Sequence, residues 1–496
     1  MASSTTAADR RDRFHKHLAP ALDVRPYING RFVDASDGTL LQVNDPMTGS
    51  RLLDVVEATS DVVGAAVAAA RTAFDDGPWP RMHPRERGEY LFALANLIDR
   101  DLEDLVLVEA IDTGKRYLGV QGWDVPNAAE VYRYYAGWSD KVIGEVLPSS
   151  EGLLIYSRTE PVGVCAAIIP WNFPFPCTSW KIGPALAAGC TVVIKPSDRA
   201  PLSGHMLAKL VDEVGFPPGV VNVVSGRGEV TGAALVSDTR VDKISFTGDI
   251  ATARRIVTGS MARLPRLTLE LGGKNPNVVF ADADLDRAVP GTIEAIFSVS
   301  GQNCCSGSRT IVHASIVEEF VERLRVELAH RKLGDQLDDS TDQGPQIDAA
   351  HISRIRAFVQ DALADGATSL IGDPTKDLSP FFPPTILANA SLTSRISREE
   401  VFGPVGTLYT FETDEEAIAL SNDTEFGLCA SIWTNDRGRV DKAVREIRAG
   451  TCWVNCFGYF DTVAPWGGVK LSGVGRELGR LGIEAYLEPK TVFDLA

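Results

Sequence analysis

Between Val162 and Leu271, short apolar segments alternate with helical ones, the pattern of a mostly parallel sheet covered by helices. Val162 to Ile169 reads as a strand stopped by Pro170, and Trp180 to Ala188 as a helix closed by Gly189. Thr191 to Ile194, Val220 to Val224, Lys243 to Phe246 and Leu267 to Leu269 read as four further strands. Helices at Met206 to Val214 and Val230 to Val236 fall between them. Five strands joined by right-handed crossovers suit a dinucleotide, and ligands of such sheets bind beyond the carboxyl ends of the strands. Lys195, Gly226, Gly248 and Glu270 all fall just past strand ends.

A second strand–helix alternation runs through Asn277 to Phe280, Thr310 to His313, Ser369 to Ile371 and Gly406 to Phe411, so a second α/β domain is expected. Ahead of the first sheet, Asp61 to Phe74 and Pro84 to Asp112 carry helical periodicity. With 496 residues the chain exceeds what one core usually organises. Met1 to Pro20 places Arg10, Arg11 and Arg13 beside Asp9 with no apolar run, and reads as a loosely ordered head, not a secretory signal. The 49 basic and 66 acidic side chains give a formal charge of −17, which repels phosphate and anionic lipid and argues against nucleic acid or membrane partners. Eight cysteines are too sparse for a disulfide scaffold and lack zinc spacing, so reduced thiols, a cytoplasmic setting and no metal are expected.

Three segments carry chemistry. Cys304 sits in Gly301-Gln302-Asn303-Cys304-Cys305-Ser306-Gly307-Ser308-Arg309. A lone cysteine is by default buried and inert, but small polar neighbours such as these suit a nucleophile that forms thioesters. The nearest histidine in sequence, His313, ends a strand and forms no motif with Cys304, which argues against a thiol hydrolase. Glu270 leaves an apolar strand into Leu271-Gly272-Gly273-Lys274, where a carboxylate with a raised pKa can activate water. An isolated Glu at such an edge is as often a solvated turn residue. Asn172, within Pro170-Trp171-Asn172-Phe173-Pro174, offers an amide to a developing oxyanion, or belongs to a rigid turn and nothing more. Gly226, Gly228 and Gly232 approximate a dinucleotide fingerprint with one residue too many.

Taken together, these segments resemble the aldehyde dehydrogenase superfamily over nearly the whole chain, from Tyr27-Ile28-Asn29-Gly30 to Lys490-Thr491-Val492. Glu400-Val401-Phe402-Gly403-Pro404 and the run from Pro465 to Gly473 add to the likeness, as does the spacing between Glu270 and Cys304. The resemblance implies an α/β fold: a Rossmann-like dinucleotide-binding domain (residues 21–138 and 158–271), a catalytic domain (272–475) and a small β oligomerisation arm (139–157 and 476–496). It implies oxidation of an aldehyde to the acid with NAD(P) and water, Cys304 forming a hemithioacetal and then a thioester that water activated by Glu270 releases. Asn172 and the Cys304 N–H would hold the oxyanion, with Lys181 and Glu477 assisting proton transfer.

For the cofactor the resemblance implies Ile169, Trp171, Lys195, Asp198, Gly228, Gly232, Phe246, Gly248, Asp249, Leu271, Glu400 and Phe402. Phe173, Cys177, Trp180, Phe460 and Trp466 match the substrate funnel and suggest an apolar, aromatic, amino or betaine aldehyde. On its helix Trp180 reads equally as ordinary core. Three positions depart from the family pattern. Asp198 replaces a usual Glu, which favours NAD by repelling a 2′-phosphate, while Arg199 and Arg227 nearby keep NADP open. Asp249 replaces Ser where an anion repels pyrophosphate unless turned away, and Ala253 replaces Gly. A homodimer or homotetramer is implied. A CoA-acylating relative and a catalytically silent NAD-binding protein of the same fold are the alternatives; Glu270 favours hydrolysis over the first, and intact Asn172, Glu270 and Cys304 argue against the second.

Overall fold

The computed structural model describes residues 6–35 and 38–495. Its first sheet contains β1 (Val164–Ile168), β2 (Thr191–Lys195), β3 (Val221–Val223), β4 (Lys243–Thr247) and β5 (Arg266–Glu270). They run parallel in the order β3-β2-β1-β4-β5. Connections from β1 therefore lead to one side and the return to β4 lies on the other, leaving a crevice between the ends of β1 and β4. Every residue of β1 and β2 is buried, because helices cover both faces, and their sequences are accordingly continuous apolar runs. The helix Pro174–Ala188 is buried along its whole length and stops at Gly189, whose φ of 99° suits a residue without a Cβ.

The second sheet is formed by β6 (Pro276–Val279), β7 (Arg309–His313), β8 (Thr368–Ile371), β9 (Thr385–Ala388), β10 (Val405–Phe411), β11 (Cys429–Trp433) and β12 (Thr451–Val454). Its order is β8-β9-β10-β7-β6-β11-β12, with only the edge pair β8–β9 antiparallel. A third, three-stranded sheet joins Val146–Leu147, Leu153–Pro161 and Leu487–Leu495 into an arm.

Three expectations are corrected. The head is folded from Thr6 onward, with Met1 to Thr5 outside the described residues. Thr6 and Asp9 form a capping box on the helix Ala7–Arg13, and Phe14 is fully buried. The arginines that suggested a solvated segment meet partners instead: Arg10 donates to the Leu337 carbonyl at 2.6 Å and lies 3.7 Å over the Tyr117 ring, while Arg11 pairs with Asp45 and Asp335. The helical span 84–112 is two helices, Pro84–Arg100 and Leu102–Thr113, parted at Asp101. The first buries one face and the second is buried from Leu105 to Thr113, so one straight rod cannot serve both environments. Finally, β13 (Gly473–Val474) pairs antiparallel with β5, and the helix Gly479–Glu484 packs on Pro174–Ala188. Gly473–Val474 thus extend the first sheet, and the helix Gly479–Glu484 lies against the helix Pro174–Ala188 beside that sheet.

Candidate active site

Past the carboxyl ends of β1, β4 and β5 a cavity of about 840 Å³ runs between the two sheets. Cys304 reaches it on a strained loop: after the helix Leu285–Phe297, Val299, Ser300 and Gly301 take φ values of 50°, 57° and 73°. Such left-handed geometry costs a non-glycine residue on the order of 1–3 kcal/mol and persists only where surroundings impose it. Here they do. The Ile347 N–H donates to Gln302 Oε1 at 2.9 Å, Gln346 Nε2 donates to the Ser300 carbonyl at 3.0 Å, and Ser300 Oγ donates to the Gly344 carbonyl at 2.8 Å. Gly301 has no alternative, since a Cβ there would lie 2.1 Å from the Gly403 carbonyl carbon.

The three chemical groups converge on this cavity. Asn172 Nδ2 donates to the Gln302 carbonyl at 3.0 Å, which ties the oxyanion candidate to the Cys304 loop and leaves its other N–H free to face a ligand. Cys304 is half-buried, and the hydrogen bond to the Cys305 thiol, followed by burial, raises its pKa well above the ordinary thiol value. Glu270 ends β5 and is buried with neither carboxylate oxygen hydrogen-bonded. Burial, then the charge of Glu477, raises its pKa well above the usual carboxylate value. Its space exists because Gly467 lacks a side chain: a Cβ there would stand 2.6 Å from Glu270 Oε1.

Lys181 does not line the cavity; it lies beneath, donating to Glu477 Oε1 at 2.5 Å and Thr247 Oγ1 at 2.7 Å. Glu477 does line it and keeps Oε2 without a partner. The thiol-hydrolase reading gains nothing, because His313 caps a short helix away from the cavity. His351 lines the wall but is committed to the Phe402 carbonyl at 2.6 Å, and burial lowers its pKa to about 4.

The side facing the first sheet suits a dinucleotide. Ile169, Trp171, Lys195, Asp198, Gly228, Phe246, Gly248, Asp249, Leu271, Glu400 and Phe402 all line it. Gly232 does not line it; a Cβ there would lie 3.6 Å from Lys195 Cε. Gly248 admits close approach, since a Cβ would meet the Phe246 ring at 2.4 Å. The Asp249 carboxylate is engaged at the helix N-terminus: as N-cap of the helix Ile250–Ser260 it accepts from Thr252 N at 2.9 Å and Thr252 Oγ1 at 2.7 Å. Ala253 is buried in the first-sheet core, which accommodates its methyl. Glu400 Oε1 accepts from Gly273 N at 3.0 Å, and burial pushes the carboxyl up to about 7. Arg227 is occupied: its backbone N–H, Nε and Nη2 all donate to Glu57, at 2.7–3.0 Å.

On the opposite side Phe173, Cys177, Trp180, Phe460 and Trp466 line the funnel. Sequence reasoning missed Trp123, whose ring meets Phe173, Trp180 and Phe460 at centroid distances of 5.6, 6.3 and 5.5 Å. It sits in a π-helical turn, Val120–Asp124, with no local sign of a site. Also missed were Lys115, lying 3.7 Å over the Phe173 ring, and its ion-pair partner Asp124. Trp180 is both core and wall: it is buried, and its indole donates to Asn127 Oδ1 at 2.9 Å. Among the described residues, no group of three His, Cys, Asp or Glu is placed to hold a metal ion, and no helix is long and apolar enough to cross a membrane.

Comparison with known proteins agrees with this geometry. The family model described as "Aldehyde dehydrogenase family" matches residues 32–492. The chain is 43% identical over 469 residues to mitochondrial aldehyde dehydrogenase of Sus scrofa, covering 94% of this chain and 90% of that protein. It is 42% identical over 468 residues to an aldehyde dehydrogenase of Alternaria alternata, covering 94% of each. An NAD+ complex of aldehyde dehydrogenase from Bacillus cereus superposes with a TM-score of 0.94 at 40% identity, covering 97% of this chain and 99% of that one. Betaine aldehyde dehydrogenase from Staphylococcus aureus, in complex with NAD+, superposes with a TM-score of 0.95 at 37% identity, covering 98% and 97%.

Proposed function

The chain belongs to the aldehyde dehydrogenase family, and from that premise we propose that this NAD(P)-dependent enzyme oxidises its aldehyde through a thioester on Cys304 that Glu270 hydrolyses. The observation that carries the proposal is the convergence of a thiol, an unpartnered buried carboxyl and an amide on one cavity. Cys304 Sγ attacks the carbonyl carbon, and the oxyanion receives hydrogen bonds from Asn172 Nδ2 and the Cys304 N–H. NAD(P), when held by residues such as Glu400 and Phe402, would supply the hydride acceptor for this oxidation. Glu270 then takes a proton from water as its oxygen bonds the thioester carbon, the C–S bond breaks, and the acid departs. A carboxyl with a raised pKa suits this work, because it is basic enough to remove that proton and still able to return it.

In this reading Lys195 and Asp198 would hold the adenosine ribose, Gly248 the pyrophosphate, and Glu400 with Phe402 the nicotinamide ribose; that all five line the cavity supports it. NAD is favoured over NADP: the exposed Asp198 carboxylate repels a 2′-phosphate, and Glu57 already holds Arg227. The cage of Trp123, Phe173, Trp180, Phe460 and Trp466 suits an apolar, aromatic or quaternary-ammonium aldehyde, since stacked rings attract both flat apolar groups and cations. The name of the Staphylococcus aureus neighbour supports the last of these. The arm strands expose Val146, Phe493 and Leu495, apolar surface that suits a homodimer or homotetramer.

Rapid mixing with NAD and an aldehyde panel tests the mechanism. Glu270→Gln is expected to release about one NADH per subunit and then stall, and Cys304→Ala to release none. Full turnover by Cys304→Ala overturns the proposal, and acid release that requires added CoA reassigns Glu270.

A further inference from the structure

Beyond the aromatic cage the cavity continues into a lobe of different character. Arg116, Val120 and Trp123 follow helical spacing across the turns Tyr117–Gly119 and Val120–Asp124, and all three line the cavity. Trp123 belongs to the cage, so Arg116 comes next along the same wall. The start of the Cys304 loop reaches this lobe too. Ser298 and Arg331 line it, and Arg331 Nη2 donates to the carbonyl of Phe297, the residue before Ser298, at 3.0 Å. The charge of Arg116 acts on Arg331.

The donors of this lobe lack acceptors. Arg116 Nε is enclosed with no hydrogen-bond partner, and among the described residues Arg116 forms no ion pair. Ser298 Oγ is likewise enclosed and unpartnered. Such groups are unfavourable where they stand, and a ligand that accepts from both relieves them. Arg331 donates only to neutral acceptors, Gln343 Oε1 and the carbonyls of Phe297 and Asp342, and burial lowers its pKa. The acids nearby do not fill the place. Asp124 pairs with Lys115, Asp342 Oδ2 accepts from the Lys332 N–H at 3.0 Å, and Glu294 is exposed and screened by water. The carboxylates of Glu294 and Asp342 act on Arg331 through charge alone, with no hydrogen bond to it. Because the whole chain carries a charge of −17, an anionic ligand gains nothing from the long-range field, and its recognition has to be local.

We propose that Arg116, with Ser298 as a second donor, binds a carboxylate at the far end of the aldehyde, so that the substrates are apolar or aromatic aldehydes carrying a distal carboxylate. The planar guanidinium matches a carboxylate with two parallel N–H···O bonds, which a point charge does not. The aldehyde carbon then lies at Cys304, the apolar body in the cage of Trp123, Phe173 and Phe460, and the anion at Arg116. An end so far from the reacting carbon makes the same contact in the ground state and the transition state. It therefore lowers KM and leaves kcat alone.

The proposal rests on the thioester reading for its chemistry and chooses among the substrates that the cage suits. Steady-state rates with NAD and a series of ω-oxo carboxylic acids of increasing length, each beside its methyl ester, test it. At one length the wild type is expected to prefer the acid, and Arg116→Gln to lower the acid-to-ester ratio of kcat/KM about thirtyfold, through KM. Arg116→Lys, which keeps the charge without the fork, is expected to fall between, and Ser298→Ala to lower the ratio about fivefold. Calorimetric binding of the matching dicarboxylic acid to Cys304→Ala, with and without Arg116→Gln, reads the same contact where no turnover occurs. A ratio equal in wild type and Arg116→Gln at every length, or a dicarboxylic acid bound equally with and without Arg116→Gln, would overturn the proposal. Absence of the NADH burst from Glu270→Gln would instead remove the thioester reading, while the calorimetry still decides Arg116.

Discussion

Replacing Glu270 by Gln should abolish turnover and at the same time stabilise the protein, increasingly so as the pH rises. The carboxyl is 4% exposed and neither oxygen has a partner, so its ionised form receives no compensation for burial. Its folded pKa is raised above the ordinary 4.5, first by burial and then by Glu477. Above pH 4.5 the unfolded chain has released this proton while the folded chain retains it. Stability from this group is therefore greatest below the unfolded pKa and falls as the pH climbs toward the folded one. Each pH unit over which the carboxyl keeps its proton removes about 1.4 kcal/mol from the wild type and nothing from the Gln variant. For 496 residues the unfolding entropy is about 1 kcal/mol per kelvin, so the melting temperatures should separate by about 1.4 °C per pH unit between the unfolded and the folded pKa of Glu270, and the gap should level off above the folded one. Paired melting curves at half-unit steps from pH 5 to 8 measure this. A constant gap, or a variant less stable than wild type at pH 7, would refute the reasoning, because the carboxyl would then be solvated or paired.

Other outcomes follow from particular contacts. Asp249→Ala should lower stability by about 1 kcal/mol by removing the N-cap, whereas Asp249→Ser should keep both stability and NAD affinity. A tenfold tightening of NAD in Asp249→Ser, read by fluorescence titration, would mean that the carboxylate opposes the pyrophosphate after all. Asp198→Asn should raise kcat/KM for NADP about tenfold, equivalent to about 1.4 kcal/mol, and adding Glu57→Gln should raise it further by releasing Arg227; an unchanged NADP to NAD ratio in the double variant contradicts the assignment. Phe14→Ala should cost about 3–5 kcal/mol as a buried aromatic truncation, measured by urea unfolding, where a solvated head would show no change.

What the sequence made legible was whatever depends on local pattern. The parallel strands announced themselves because burial on both faces leaves uninterrupted apolar runs, as in Thr191–Lys195, and each ends in a turn residue that marks the ligand side. Cys304, Glu270 and Asn172 were visible because nucleophile, base and donor each need unusual neighbours, chiefly glycine and proline. Long-range pairings were not legible. Lys181 and Glu477 are joined across 296 positions, and nothing near either reports the other. Trp123 looks like any helical aromatic until the fold sets it against Phe460. The head misled because arginine signals solvent by composition, while its acceptors, Asp335 and the Leu337 carbonyl, lie more than three hundred residues away. Asp249 misled in the opposite direction, since charge alone does not reveal that a carboxylate is consumed in capping.

Pairing of β13 with β5 has a consequence for synthesis. Domains fold as they emerge, N-terminal first, so the five parallel strands can assemble while the ribosome is still at work. Glu477, however, is delivered by the stretch that follows β13, more than two hundred residues after β5. An enzyme cut short at residue 470 would retain its thiol and its base yet lack the acid beside them. Nascent molecules therefore stay chemically incomplete until the stretch that carries Glu477 has been made.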